Sequence, residues 1–372
     1  MQWTLQDRGF LPKRDPLTRL TDPAFCEIER LGGDLPRLVH ERQFRTGAAS
    51  YLTESVDWSA AVKRATDAEL ERLFMLFSYF ASAFVHSPGL PSVDRIPSCI
   101  AVPLVFLADT LQRPPILSYA SYCLHNWRRI DSSGPIVLGN IALLQNFSIP
   151  GDGKSDEDWF ILVHVDIEAR AGAALQAVGA APEILDRKDV LGLTAMLDQT
   201  ANSLHAMNTT MNRMPEGCSA DVYFRKVRPY IFGFNTIVYE GCFGNVPQSY
   251  RGETGAQSSI VPTMLMALGI QHQNSLLTEH LRDMQNYMPA PHRDFIRSQV
   301  SVRDFAGQSG DARVKDRYNA CVSELLAFRT RHFEYAVNYI EKKVDNPIAT
   351  GGTPYIPWLR QLIEETKAFM LA

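Results

Sequence analysis

The chain carries none of the short motifs that settle a protein's chemistry on sight. It has no GxGxxG after a strand pattern, no GxxxxGK[ST], no HExxH, no GxSxG and no calcium-loop signature. Dinucleotide cradles, phosphate loops, zincin metal sites and serine-hydrolase elbows are therefore not expected. The six cysteines (Cys26, Cys99, Cys123, Cys218, Cys242 and Cys321) are scattered, with no CxxC pair and no CxxCH. That excludes zinc ribbons, thioredoxin-like redox pairs and covalent c-type haem attachment. Isolated thiols suit a reducing compartment. No stretch approaches the roughly 18 apolar residues of a membrane-crossing helix. Basic residues are not in excess, the formal net charge being −4, so a general nucleic-acid binder is not expected. The opening MQWTLQDRGF is polar and lacks the apolar core of a secretory signal. A cytoplasmic globular protein is the expectation.

What is present is helical. At 372 residues and 45% hydrophobic composition, the chain exceeds what one core usually accommodates, and two domains are expected. The polar stretch GDGKSDED (Gly151 to Asp158) is the candidate boundary, giving a small helical domain over 1–150 and a larger one over 151–372. A short helix from Pro23 to Leu31 should stop at Gly32-Gly33. Asp67 is placed to cap a helix running to His86. Further helices are expected over Ile100 to Leu111, beginning near Pro103, and over Ile116 to Trp127. Trp159 to Leu175 opens like a strand, but its length without a turn signal favours one continuous buried helix. Helices over Val190 to Met211, Leu276 to Tyr287 and Trp358 to Met370 complete an all-α reading.

The most informative stretch is Tyr318 to Ile340, more than six helical turns without Pro or Gly. Tyr318, Cys321, Leu325, Phe328, Ala336 and Tyr339 follow the spacing of an amphipathic helix. His332 sits on the same stripe, with Arg329 one turn before it. An inward imidazole beside a cation fits an iron ligand near a haem carboxylate. It equally fits a core histidine bonded to a backbone carbonyl. Elsewhere, His164 lies in the apolar run ILVHVDI and reads as a satisfied core histidine or a group facing a cofactor cavity. Arg225, Lys226 and Arg228 read as a solvated helix face, although Tyr223, Phe224 and Tyr230 flank them as a surface for an aromatic amphiphile. The loop GETGAQ offers backbone donors to an anion or a plain helix-entry turn.

Several segments, in order along nearly the whole chain, resemble the indoleamine 2,3-dioxygenase family. They are IAVP (Ile100 to Pro103), RPPILSYA (Arg113 to Ala120), Asn126-Trp127, WFILVHVDIEA from Trp159, YFRKVRPYIFGF from Tyr223, and VYEG from Val238. GAQSS from Gly255, LGIQ from Leu268, YMPAPHRDF from Tyr287, RTRH ending at His332, and TGGT from Thr350 continue the series.

The resemblance implies a two-domain all-α fold that holds haem b, with His332 as proximal iron ligand and Arg329 near a haem propionate. It implies that Arg228 holds the substrate carboxylate and that Tyr119, Tyr122, Phe160 and Tyr223 line the indole pocket. Gly255 and Ala256 would lie over the distal haem face, and Thr350 would belong to a closing loop. The implied reaction opens the indole ring of L-tryptophan, or a related indole, with dioxygen, an electron donor keeping the iron ferrous. Departures are visible. His164 stands where animal members carry serine, as in the related tryptophan 2,3-dioxygenases, and it would accept a hydrogen bond from the indole N–H. Tyr223 replaces a phenylalanine, Tyr122 a cysteine, and Leu265 an aspartate of the proximal network. Alternatives are a haem enzyme of the same superfamily acting on a modified tryptophan, and a non-catalytic haem binder.

Overall fold

The computed structural model describes residues 7–52, 56–343 and 355–372. Helix makes up 64% and strand 5%, so the fold is all-α. The first core is organised around the helix Asp67–Val85, where every residue from Leu70 to Ala83 is buried. Thr66, not Asp67, caps it. Thr66 has an extended backbone, and it exchanges bonds with Glu69 in a capping box, while Asp67 adds its charge inside the first turn. Cys26–His40, Phe44–Tyr51 and Ser98–Leu111 pack around this rod. Two ion pairs sit inside the packing. Arg72 grips Glu29 through two nitrogens at 2.6 and 2.7 Å, and Arg113 meets Glu71.

The second core gathers Gly172–Gly179, Val190–Met211, Ile260–Leu268 and the long helix Ala312–Tyr339. Lys154–Arg170 is the wall between the cores. Ile161 and Val165 face the first, while Val163 and Ile167 face the second. Two stripes of i,i+4 spacing, offset by two residues, imitate the alternation of a strand. That is why this segment looks strand-like in sequence.

Several expectations need correction. Gly32 and Gly33 do not end a helix, since Cys26–His40 runs through them. A Cβ on Gly32 would lie 2.8 Å from Leu76 Cδ2, so this glycine lets two helices approach. Ser98–Leu111 begins five residues before Pro103, not at it. Ile116 to Trp127 is not a helix. One wide turn, Ala120–Leu124, is closed by His125 N to Ala120 O at 3.0 Å, and Trp127–Arg129 then pairs antiparallel with Ile141–Leu143. The helix expected over 159–175 starts earlier, at Lys154, and breaks at Ala171. A small sheet returns the chain to the first core: Arg95–Ile96 runs parallel to Phe234–Tyr239, which pairs antiparallel with Gln248–Tyr250. The closing helix is Tyr355–Lys367.

Candidate active site

Helix Ala312–Tyr339 starts where the Asp311 carboxylate accepts from Arg313 N at 2.9 Å. Its buried stripe runs through Tyr318, Cys321, Leu325, Arg329, Ala336 and Tyr339. His332 falls in line with them, yet its side chain is accessible. Protein nonetheless surrounds it closely enough to push the imidazole down to about 4, through burial first and then the nearby His164 and Arg329. His164 lies close enough to add to that shift.

Lys154–Arg170 supplies the opposite side. His164 Nδ1 lies 2.7 Å from Phe160 O. A carbonyl only accepts, so Nδ1 carries the proton and Nε2 keeps its lone pair. Burial lowers the pKa of His164 and keeps the ring neutral. Aromatic rings surround it. Tyr119 meets it edge-on at 5.9 Å, and Phe160 lies 4.8 Å away. Phe160 in turn contacts Tyr223 at 4.7 Å and Tyr122 at 6.5 Å. The residues expected to line an indole pocket are therefore brought together.

The 3-10 turn Gly255–Gln257 closes this wall. Gln257 Oε1 accepts from Tyr119 N, and its Nε2 donates to Gly252 O, both at 2.9 Å. Ser258 Oγ donates to Glu168 Oε1 at 2.7 Å. Burial raises the Glu168 carboxyl to about 7, against the pull of its bonds to Ser258 and Tyr119. Gly255 is exposed and Ala256 half-buried. Arg228 opens the short turn Arg228–Ile231 and is buried, its guanidinium 4.5 Å from the Phe232 ring and 5.6 Å from Phe224. Its sequence neighbours differ. Arg225 and Lys226 are exposed and paired with Asp221 and Asp152, so the solvated-face reading fits those two only. Arg329 points to the last helix, donating to Leu362 O at 2.8 Å and to the Thr366 hydroxyl, and meeting His272 Nε2 at 3.0 Å. Leu265 is half-buried against the second core. Thr350 lies outside the described residues.

A bare metal ion needs several protein ligands. Among the described residues, no three His, Cys, Asp or Glu side chains converge to hold one. An iron already held by a macrocycle needs only one or two more. One desolvated imidazole, unprotonated at neutral pH, fits that requirement. A sequence profile described as "Indoleamine 2,3-dioxygenase" matches residues 2–349.

The chain belongs to the indoleamine 2,3-dioxygenase family. It is 31% identical to indoleamine 2,3-dioxygenase 1 of Mus musculus, over 99% of this chain and 94% of that one. It is 28% identical to a 6-hydroxytryptophan 2,3-dioxygenase of Fusarium equiseti, over 89% and 82%. It is also 25% identical to a myoglobin of Haliotis diversicolor, over 97% and 96%. Family membership makes this chain a haem-dependent dioxygenase of tryptophan-like indoles. No helix among the described residues is long and apolar enough to cross a membrane.

Reading the sequence alone missed Gln257, Ser258 and Glu253 as parts of the wall. Glu253 is buried and pushed up to about 8, and its backbone N donates to Ile231 O at 3.0 Å. A buried acid inside a Gly-rich loop was the available signal.

Proposed function

We propose that this protein cleaves the C2–C3 bond of L-tryptophan, or of a closely related indoleamine, to give N-formylkynurenine. Haem b, held by His332, supplies the oxygen chemistry when bound and reduced. The remaining work belongs to the chain. His164 Nε2 accepts the indole N–H, while Phe160, Tyr119, Tyr122 and Tyr223 hold the ring plane and exclude water. Arg228 takes the carboxylate through a charge-assisted contact. Gly255 and Ala256 cover the pocket. Arg329 stands beside the proximal turn, where a haem carboxylate would approach. His164 is kept neutral and orients the substrate; no general base is required of it.

The observation that supports this reading is the cluster of Tyr119, Phe160 and Tyr223 around His164, whose Nε2 keeps its lone pair. A modified tryptophan is the second reading. Tyr122 favours it, because its buried hydroxyl has no hydrogen-bond partner among the described residues, and the Fusarium relative is named for a hydroxylated substrate. A haem carrier without turnover is the third, in view of the Haliotis relative named a myoglobin. We further propose a division near residue 150, with Ile231, Phe234, Ile237 and Tyr239 returning to the first core, a cytoplasmic location, and a separate electron donor.

The test is direct. Haem-loaded protein is reduced, and L-tryptophan and 6-hydroxytryptophan are added under air. The N-formylkynurenine chromophore should appear, and His332→Ala should lose the haem spectrum. Turnover of the hydroxylated compound alone selects the second reading. Reduced, haem-bound protein that turns over neither is a carrier.

A further inference from the structure

The hydrogen bonds of Arg329 go to the last helix and to His272. Its Nη2 meets His272 Nε2 at 3.0 Å, and His272 Nδ1 meets Glu365 Oε2 at 2.7 Å. A guanidinium only donates, so His272 Nε2 must hold a lone pair and Nδ1 must carry the proton given to Glu365. Gln361 Nε2 occupies the other Glu365 oxygen at 2.8 Å. The side chains of His272 and Glu365 are 6% and 14% exposed, and Arg329 is 7% exposed. The chain of bonds joins three separate parts of the sequence. His272 follows the helix Ile260–Leu268, Glu365 belongs to Tyr355–Lys367, and Arg329 lies one turn before His332. Leu265 brings no charge to this side, so Glu365 is the carboxylate that reaches the ligand-bearing turn.

We propose that His272 and Glu365 are positioning residues for that turn, holding Arg329, and through it His332, while His272 is neutral. This rests on His332 being the haem ligand. The charged groups facing His272 are Arg329 from the long helix and Glu365 from the last helix. Burial, with Arg329, outweighs Glu365 and keeps the imidazole below its usual pKa. Acidification places a second proton on Nε2. The acceptor for Arg329 is then lost, two cations abut, and the turn carrying His332 loosens.

Haem loss from the ferric full-length protein into excess apoglobin, followed between pH 7.5 and 5, tests this. In the wild type the rate should rise about tenfold, the size of one lost charge-assisted bond. His272→Gln can still donate to Glu365 and accept from Arg329 but does not titrate. It should match the wild type at pH 7.5 within about twofold and stay nearly flat to pH 5. His272→Ala should lose haem about tenfold faster throughout. Should it fail to fold, the glutamine variant decides alone. Protonation of His332 itself acts equally on all variants. Superimposable pH profiles for wild type and His272→Gln overturn the proposal. Wild-type protein that takes up no haem, or His332→Ala with an unchanged haem spectrum, overturns the ligand assignment beneath it.

Discussion

The bond from His164 Nδ1 to Phe160 O decides what His164 can do for a substrate. It fixes the tautomer, so Nε2 is an acceptor and cannot donate. A substrate with an indole N–H gains one hydrogen bond there, and one with an N-methyl group gains none. His164→Ala should therefore lower kcat/KM for L-tryptophan by about three- to tenfold, the usual worth of one neutral bond. Turnover of 1-methyl-tryptophan should stay within about twofold of wild type. Equal losses on both substrates would remove the hydrogen-bonding role. The buried stripe of the long helix, from Tyr318 to Tyr339, was legible in sequence because a 28-residue helix repeats its signal many times. The tautomer of His164 was not, because it depends on one backbone carbonyl. Nor was the His272–Glu365 contact, whose partners are 93 positions apart with no local pattern linking them.

At the scale of elements, close backbone approaches matter as much as side-chain stripes. Gly172 opens the helix Gly172–Gly179, and a Cβ there would lie 2.1 Å from Asp7 O and 2.9 Å from Gly9 N. Backbone cannot rotate aside as a side chain can. Gly172→Ala should displace the 7–11 segment and cost about 1–3 kcal/mol, lowering Tm by several degrees. Gly33→Ala is the control. Gly33 is exposed within Cys26–His40, with nothing within 4 Å of its added Cβ. Removing mid-helix backbone freedom there should stabilise by about 0.5–1 kcal/mol. Thermal melts in which both variants shift alike would contradict this reading. The same distinction explains what was legible. Val190–Met211 stands where its pattern placed it because one face meets one core. Gly32-Gly33 misled, because a glycine that admits a neighbouring helix looks in sequence like one that ends a helix. The 120s segment misled because its helical composition is overridden by Asn126, whose Nδ2 donates to Tyr122 O, Tyr79 Oη and Gln145 O.

Over the whole molecule, three buried acids, two on the wall between the cores and one in the loop before Gly255, hold their protons near neutrality. Burial raises Glu157 and Glu168 to about 7 and Glu253 to about 8. In the unfolded chain each ionises near its ordinary value, so around neutral pH the native state binds more protons than the unfolded one. Stability from these groups is complete at low pH and is lost as pH rises through 7 to 8. The buried histidines act in the other direction. His86, against Phe232 O, is lowered to about 4, and His292 lies well below its usual value. Their stability is present above about 6.5 and lost on acidification, so above pH 7 they contribute almost no slope. The acids are then left alone. Between pH 7 and 8.5 the wild type should lose about 2 kcal/mol, measured by urea unfolding at fixed haem content. Glu253, with the highest value, accounts for roughly half of that, because the other two are already half-ionised at pH 7. Glu253→Gln removes its titration without shortening the side chain. The variant should lose only about 1 kcal/mol across the same interval. A variant whose stability falls as steeply as the wild type's would show that Glu253 does not hold a proton at pH 7.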